Sequence, residues 1–84
     1  MPQYLLLCRS LTYAQRASRL LERSGITAII TRVPREAVES GCNYSIKVSE
    51  RRLTSALRIL NEGGLGPSRV FLISEDGSVS EVAG

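Results

Sequence analysis

Thr27-Ala28-Ile29-Ile30-Thr31-Arg32-Val33 and Tyr44-Ser45-Ile46-Lys47-Val48 are two strand-like runs with no helical pattern between them. The first is rich in β-branched residues, which suit a pleated surface. The second alternates strictly, so it has one buried and one wet face. Pro34 ends the first run, because proline cannot donate to a strand ladder. Arg35 to Gly41 then form a connection. Up to the last strand pair the chain otherwise passes from strand to helix and back. This direct strand-to-strand step therefore decides the fold.

Upstream, Tyr4-Leu5-Leu6-Leu7-Cys8 is a short continuous apolar run and reads as a buried central strand. Thr12-Tyr13-Ala14-Gln15 has the Thr-x-x-Gln form of a capping box and is expected to open a helix. Ala14, Ala17, Leu21 and Ser24 share one face of that helix, with Tyr13 and Leu20 beside them. Gly25 should stop it, since glycine takes the left-handed conformation without a Cβ penalty. Downstream, Ser49 is a candidate N-cap, with Glu50 near the positive end of the helix dipole. Leu53, Ala56, Leu57 and Leu60 give a buried stripe, and Gly63 and Gly64 terminate it. Val70 to Ile73 form a fourth strand. Asp76-Gly77 is a turn signal, after which Ser78 to Val82 can return as a short fifth edge strand.

The order β-α-β-β-α-β is that of the ferredoxin-like split βαβ fold. The expectation is an α+β two-layer sandwich with antiparallel sheet order 4-1-3-2 and both helices on one face. The 84 residues form one domain, 1–84.

Composition narrows the chemistry. No apolar run approaches the roughly 18 residues of a membrane-spanning helix. The start, Met-Pro-Gln-Tyr, lacks the basic flank of a secretory signal. The expected setting is therefore cytoplasmic, with no membrane partner. Two cysteines are too few for a disulfide scaffold, and Cys8 and Cys42 fit no metal spacing, so no metal or cofactor is expected. The chain has no histidine, which removes Ser-His and Cys-His activation and imidazole acid–base work. A non-enzymatic role follows as the expectation. Residues 1–74 carry a net +6 and the last ten −3, and Lys47 is the one lysine among eleven cations. Arginine's planar fork suits phosphate and carboxylate, although base composition of the genome alone can produce such a bias.

The fold turns the two cysteines into a geometric expectation. The end of the first strand lies beside the start of the third, so Cys8 and Cys42 should share one edge of the sheet. Arg32, Arg35 and the amino end of the first helix belong to that edge. Side-chain parity places Cys8 with Tyr4 and Leu6 toward the helices and Arg9 away from them. A thiolate near a helix amino end and arginines has a lowered pKa. Cys8 in an apolar strand nonetheless reads first as a small core residue, whereas Cys42, between Gly41 and Asn43 in a polar loop, is the better functional candidate.

The stretch Ala17-Ser18-Arg19-Leu20-Leu21-Glu22-Arg23-Ser24-Gly25-Ile26, then Pro34-Arg35, then Cys42 before an apolar strand, resembles the selenium/sulfur carrier protein-like family of small bacterial proteins. The resemblance covers most of residues 4–62. In that family the cysteine is usually followed by glycine. Asn43 stands there instead, and asparagine also tolerates positive φ. The resemblance implies that Cys42 carries a persulfide or selenium adduct between donor and acceptor proteins. Arg35, Arg32 and Asn43 would contact the adduct, and Cys8 would be a resolving thiol.

A second class is a dimeric regulatory or protein-interaction module. Leu5 and Leu7, with Phe71 and Ile73 on the neighbouring strand, face away from the helices and would expose an apolar patch in a monomer. A homodimer is the expectation from that patch, unless the C-terminal strand or a loop covers it. RNA binding is not expected. The platform that RNA-recognition domains use for stacking holds Leu5, Leu7, Ser45 and Lys47 here, and Tyr4 and Tyr44 have the wrong parity.

Overall fold

The computed structural model describes residues 2–33 and 44–82. The connection from Arg35 to Gly41, with Cys42 and Asn43, lies outside the described residues. The elements are β1 (Gln3–Leu7), α1 (Leu11–Arg23), β2 (Ile29–Arg32), β3 (Tyr44–Ser49), a 3-10 turn (Glu50–Arg52), α2 (Leu53–Glu62), β4 (Arg69–Ile73) and β5 (Val79–Glu81). All strand pairs are antiparallel, in the order β2-β3-β1-β4-β5. Read from the other edge this is 5-4-1-3-2: the four-strand order with β5 added outside β4. The arrangement is an α+β sandwich consistent with the ferredoxin-like fold.

Parity divides the sheet into two apolar layers. Leu6 and Cys8 of the first strand run, Ile46 and Val48 of β3, and Ala14, Ala17, Leu21, Ala56 and Leu60 of the helices form the main core. Leu5, Leu7, Phe71 and Val33 form a second cluster on the opposite face, flanked by Ile73 and Val79. Leu5 is 2% exposed, Leu7 5% and Phe71 1%. The expected bare patch is therefore absent from the single chain. Two described features contribute to its cover: Val33, just past β2, packs onto this face, and β5 brings Val79 alongside Ile73. Ser45, expected on a wet face, is also fully buried, and its hydroxyl donates to the Thr31 carbonyl at 3.3 Å.

The first helix begins earlier than the capping-box reading places it. Ser10 is the N-cap, in extended backbone, and its hydroxyl accepts from the Tyr13 amide at 3.2 Å. Thr12 sits inside the first turn. The buried face includes Ser18 rather than Ser24. The Ser18 hydroxyl donates to the Ala28 carbonyl at 3.1 Å, which offsets the cost of burying it. Ser24 is exposed and donates back to the Leu20 carbonyl.

Both helices end in the same way. Gly25 (φ +82°) donates to the Glu22 carbonyl and Ile26 to that of Leu21. Gly64 (φ +73°) donates to the Asn61 carbonyl and Leu65 to that of Leu60. Each is a Schellman motif, with the following Ile or Leu packing back on the core. The strand after each helix is thereby aimed down the sheet.

A three-residue hairpin joins β4 to β5. Gly77 (φ +87°) donates to the Ser74 carbonyl, and Asp76 Oδ1 accepts from the Ser78 amide at 3.0 Å. Arg69 then clamps β5, its Nε donating to Glu81 Oε2 at 2.9 Å and its Nη2 to Oε1 at 2.5 Å. This hydrogen bonding holds the Glu81 carboxyl below its usual 4.5. A depressed carboxyl pKa contributes stability above the unfolded value and loses it as pH falls through the folded one. The protection factors of the β5 amides, which remove the intrinsic pH dependence of exchange, should therefore fall below pH about 4.5 while those of β1 do not. Glu81→Gln should show the faster exchange at neutral pH. Equal exchange in the two proteins would mean that the clamp does not order β5.

Candidate functional site

The expected site lies at the edge where β1 ends and β3 begins. The Cys8 amide donates to the Tyr44 carbonyl at 2.9 Å, extending the β1–β3 ladder one rung past Leu7. The chain thus re-enters the described structure beside Cys8, two positions after Cys42. On the other flank, the Ser68 amide and hydroxyl both donate to the Leu7 carbonyl, at 2.9 and 3.2 Å. The Ser10-capped end of α1 rises from the same edge.

Cys8 faces the helices, as parity requires, and is 5% exposed. Its thiol points at the Leu6 carbonyl, 3.5 Å away. A thiol in that position packs as a small apolar group with a weak donor. Arg9 is exposed, and its guanidinium lies 5.7 Å from the centre of the Tyr13 ring. Arg32 is exposed too, on the edge strand, paired across the ladder with Tyr44. Its guanidinium stacks over the Tyr44 ring at 4.9 Å, and its Nη2 donates to the phenol oxygen at 3.0 Å. A planar cation over an aromatic face gains from the ring quadrupole. This contact holds Arg32 against the first residue of β3.

Of the five residues expected at this site, the structure describes Cys8 and Arg32. Cys42, Arg35 and Asn43 lie outside the described residues. The two tyrosines were not singled out from the sequence as partners for the arginines. The Arg32–Tyr44 pair follows from strand register, which a hydrophobic pattern sets only once the neighbouring strand is known. Tyr13 was read only as a flank of the buried helix face, and its contact with Arg9 appears once the turn from β1 into α1 is in place. Among the described residues no cluster of His, Cys, Asp and Glu could hold a metal ion. No described helix is long and apolar enough to cross a membrane.

Comparison with known families bears directly on this edge. Residues 3–72 match the family described as Putative Se/S carrier protein-like. The chain belongs to that family. The match runs from the first residue of β1 to within β4 and so includes both cysteines and the edge between them. No curated protein and no solved structure matches the chain. The matched span takes in Gly25-Ile26, Pro34-Arg35 and Cys42.

Proposed function

We propose that this protein carries sulfur or selenium as an adduct on Cys42. The observation that carries the reading is the family match over residues 3–72, which spans Cys42. In the loading step the Cys42 thiolate attacks the terminal sulfur of a donor persulfide. A new S–S bond forms at Cys42, the donor's S–S bond breaks, and the donor leaves as a thiolate with the electron pair. No net oxidation occurs, and delivery to an acceptor thiolate is the same exchange in reverse. With selenium in the terminal position the bond to Cys42 is S–Se. Such a step needs a nucleophilic thiolate and a setting that tolerates negative charge. It does not need histidine.

Arg32 supports the reading from the described edge. Its position on Tyr44 leaves a guanidinium beside the start of β3, where an anionic adduct would gain from it. Arg35 and Asn43 complete the proposed contacts. The carrier works in a reducing compartment such as the cytoplasm, where an unbridged thiol persists. Its partners are a sulfur or selenium donor protein and an acceptor protein. The chain has two cysteines, and burial of Cys8 favours Cys42 as the one that exchanges. Cys8 in this reading packs the core and does not resolve the adduct. The alternative of a dimeric interaction module rested on an open patch at Leu5, Leu7 and Phe71. Those residues are covered within one chain, so no observation favours it.

Incubating the full chain with a low-molecular-weight persulfide, or with selenite and thiol, followed by peptide mass spectrometry, tests the proposal. One added sulfur or selenium is expected on Cys42, lost in Cys42→Ala and retained in Cys8→Ala. Adducts that persist unchanged in Cys42→Ala would overturn it.

A further inference from the structure

The opposite edge of the sheet holds a second constellation. Where β1 begins and β3 ends, Gln3 pairs with Ser49, and Lys47 pairs across to Ile29. Gln3, Lys47 and Ser49 share the face turned away from the helices. Together with Thr27, Gly25 and Arg52 they line a cavity of about 230 Å³. The Glu50 amide donates to the Pro2 carbonyl at 3.3 Å and ties the 3-10 turn to the start of β1. Gly25, in the left-handed turn that ends α1, presents no side chain to the space. A second crevice of about 470 Å³, lined by Ser49, Arg51 and Arg52, adjoins the first and shares two of its residues.

The charge at this edge is one-sided. Lys47, the chain's one lysine, and Arg52 both line the cavity, and among the described residues no carboxylate does. Glu50 lines neither the cavity nor the adjoining crevice, although it stands between Ser49 and Arg51 in sequence. Among the described residues, no ion pair or hydrogen bond engages the side chain of Lys47 or Arg52. Three arginines elsewhere in the molecule are engaged, Arg9 on Tyr13, Arg32 on Tyr44 and Arg69 on Glu81. Lys47 and Arg52 line the same space as Ser49, Thr27 and Gln3, whose hydroxyl and amide groups can donate as well. A tetrahedral oxyanion is the small ligand that can draw on two cations and several neutral donors at once.

We infer that this cavity binds a phosphate group, either as the free anion or as a small phosphate monoester whose body lies along the Arg51 crevice. The volume sets the size class. Pockets for drug-sized ligands run from about 300 to 1,000 Å³, so the cavity itself takes an anionic head rather than a large cofactor. It lies five residues along β1 from Cys8, roughly 17 Å at strand rise. It is therefore separate from the proposed carrier edge and does not depend on that reading.

The test titrates inorganic phosphate, and separately phenyl phosphate, into the full chain at fixed ionic strength while following backbone amide shifts. Saturable shifts are expected at Gln3, Lys47, Ser49 and Arg52. Lys47→Gln and Arg52→Gln should each weaken binding about tenfold with the fold unchanged by circular dichroism. Cys42→Ala should bind as the parent does, which separates this outcome from the fate of the carrier reading. Equal affinity for the two probes would assign the free anion. Tighter phenyl phosphate binding, weakened by Arg51→Gln, would assign the ester. Non-saturating shifts spread equally over Arg16, Arg19 and Arg23 of α1, or unchanged affinity in both Gln variants, would overturn the inference.

Discussion

Phe71→Ala should lose about 3–5 kcal/mol of unfolding free energy, the usual cost of truncating a fully buried phenylalanine. A domain of 84 residues has roughly 4–13 kcal/mol in total, so the variant is expected to be marginal or unfolded at 25 °C. Phe71 is 1% exposed and packs with Leu5, Leu7 and Val33 on the face away from the helices. The effect measures how well that face is closed within one molecule. Urea titration should show a lower midpoint with an unchanged slope. The midpoint of the parent protein should not move between micromolar and hundred-micromolar concentrations. A midpoint that rose with concentration would mean that a second copy completes the layer. The same titration on Leu72→Ala offers a control, because Leu72 is half-buried on the same strand and should cost less.

Cys8 should be protected from thiol reagents by a factor of about 10³ or more relative to the urea-unfolded chain. The basis is its place in the main core, 5% exposed between the sheet and α1, with its thiol turned to the Leu6 carbonyl. A side chain so placed reacts only when the surrounding structure opens. For a central strand that opening approaches global unfolding in free energy. In Cys42→Ala, Cys8 is the one thiol left, so a chromogenic disulfide reagent reads it alone. Slow native labelling that becomes immediate in urea is the expected pattern. Labelling at the unfolded rate in native buffer would return Cys8 to the chemistry, as the resolving partner that the family resemblance implies. The measurement therefore decides whether the carrier is a one-thiol or a two-thiol device.

Much of this architecture was legible in the sequence because period and parity are local. Leu6 and Cys8 fall on the helix side, and Leu5 and Leu7 on the other, as alternation along a strand requires. The direct step from β2 to β3 carried the strand order, and Gly25 and Gly64 marked the helix ends. What failed was non-local. Nothing in the spacing of Val33 says that it packs against Leu5, and so the far face was read as open. The N-cap was misplaced because Thr12 and Gln15 satisfy the capping-box pattern, whereas Ser10 and Tyr13 satisfy only half of it. The meeting of the end of β1 with the start of β3 was legible, since Cys8 pairs with Tyr44, while Cys42 itself lies outside the described residues. The phosphate cavity was not, because Gln3, Thr27, Lys47 and Arg52 come from four separate parts of the chain.

The central place of β1 has a consequence for how the chain is made. Gln3–Leu7 is flanked by β3 on one side and β4 on the other, yet it precedes both in the chain. During synthesis it cannot complete its pairing with β3 until residue 49 has emerged, nor that with β4 until residue 73. Leu5, Leu6 and Leu7 stay uncovered through that interval, and pairing at such separations is slow because the loops must close first. The strand that organises the finished sheet is thus the segment most in need of shelter while the protein is being born.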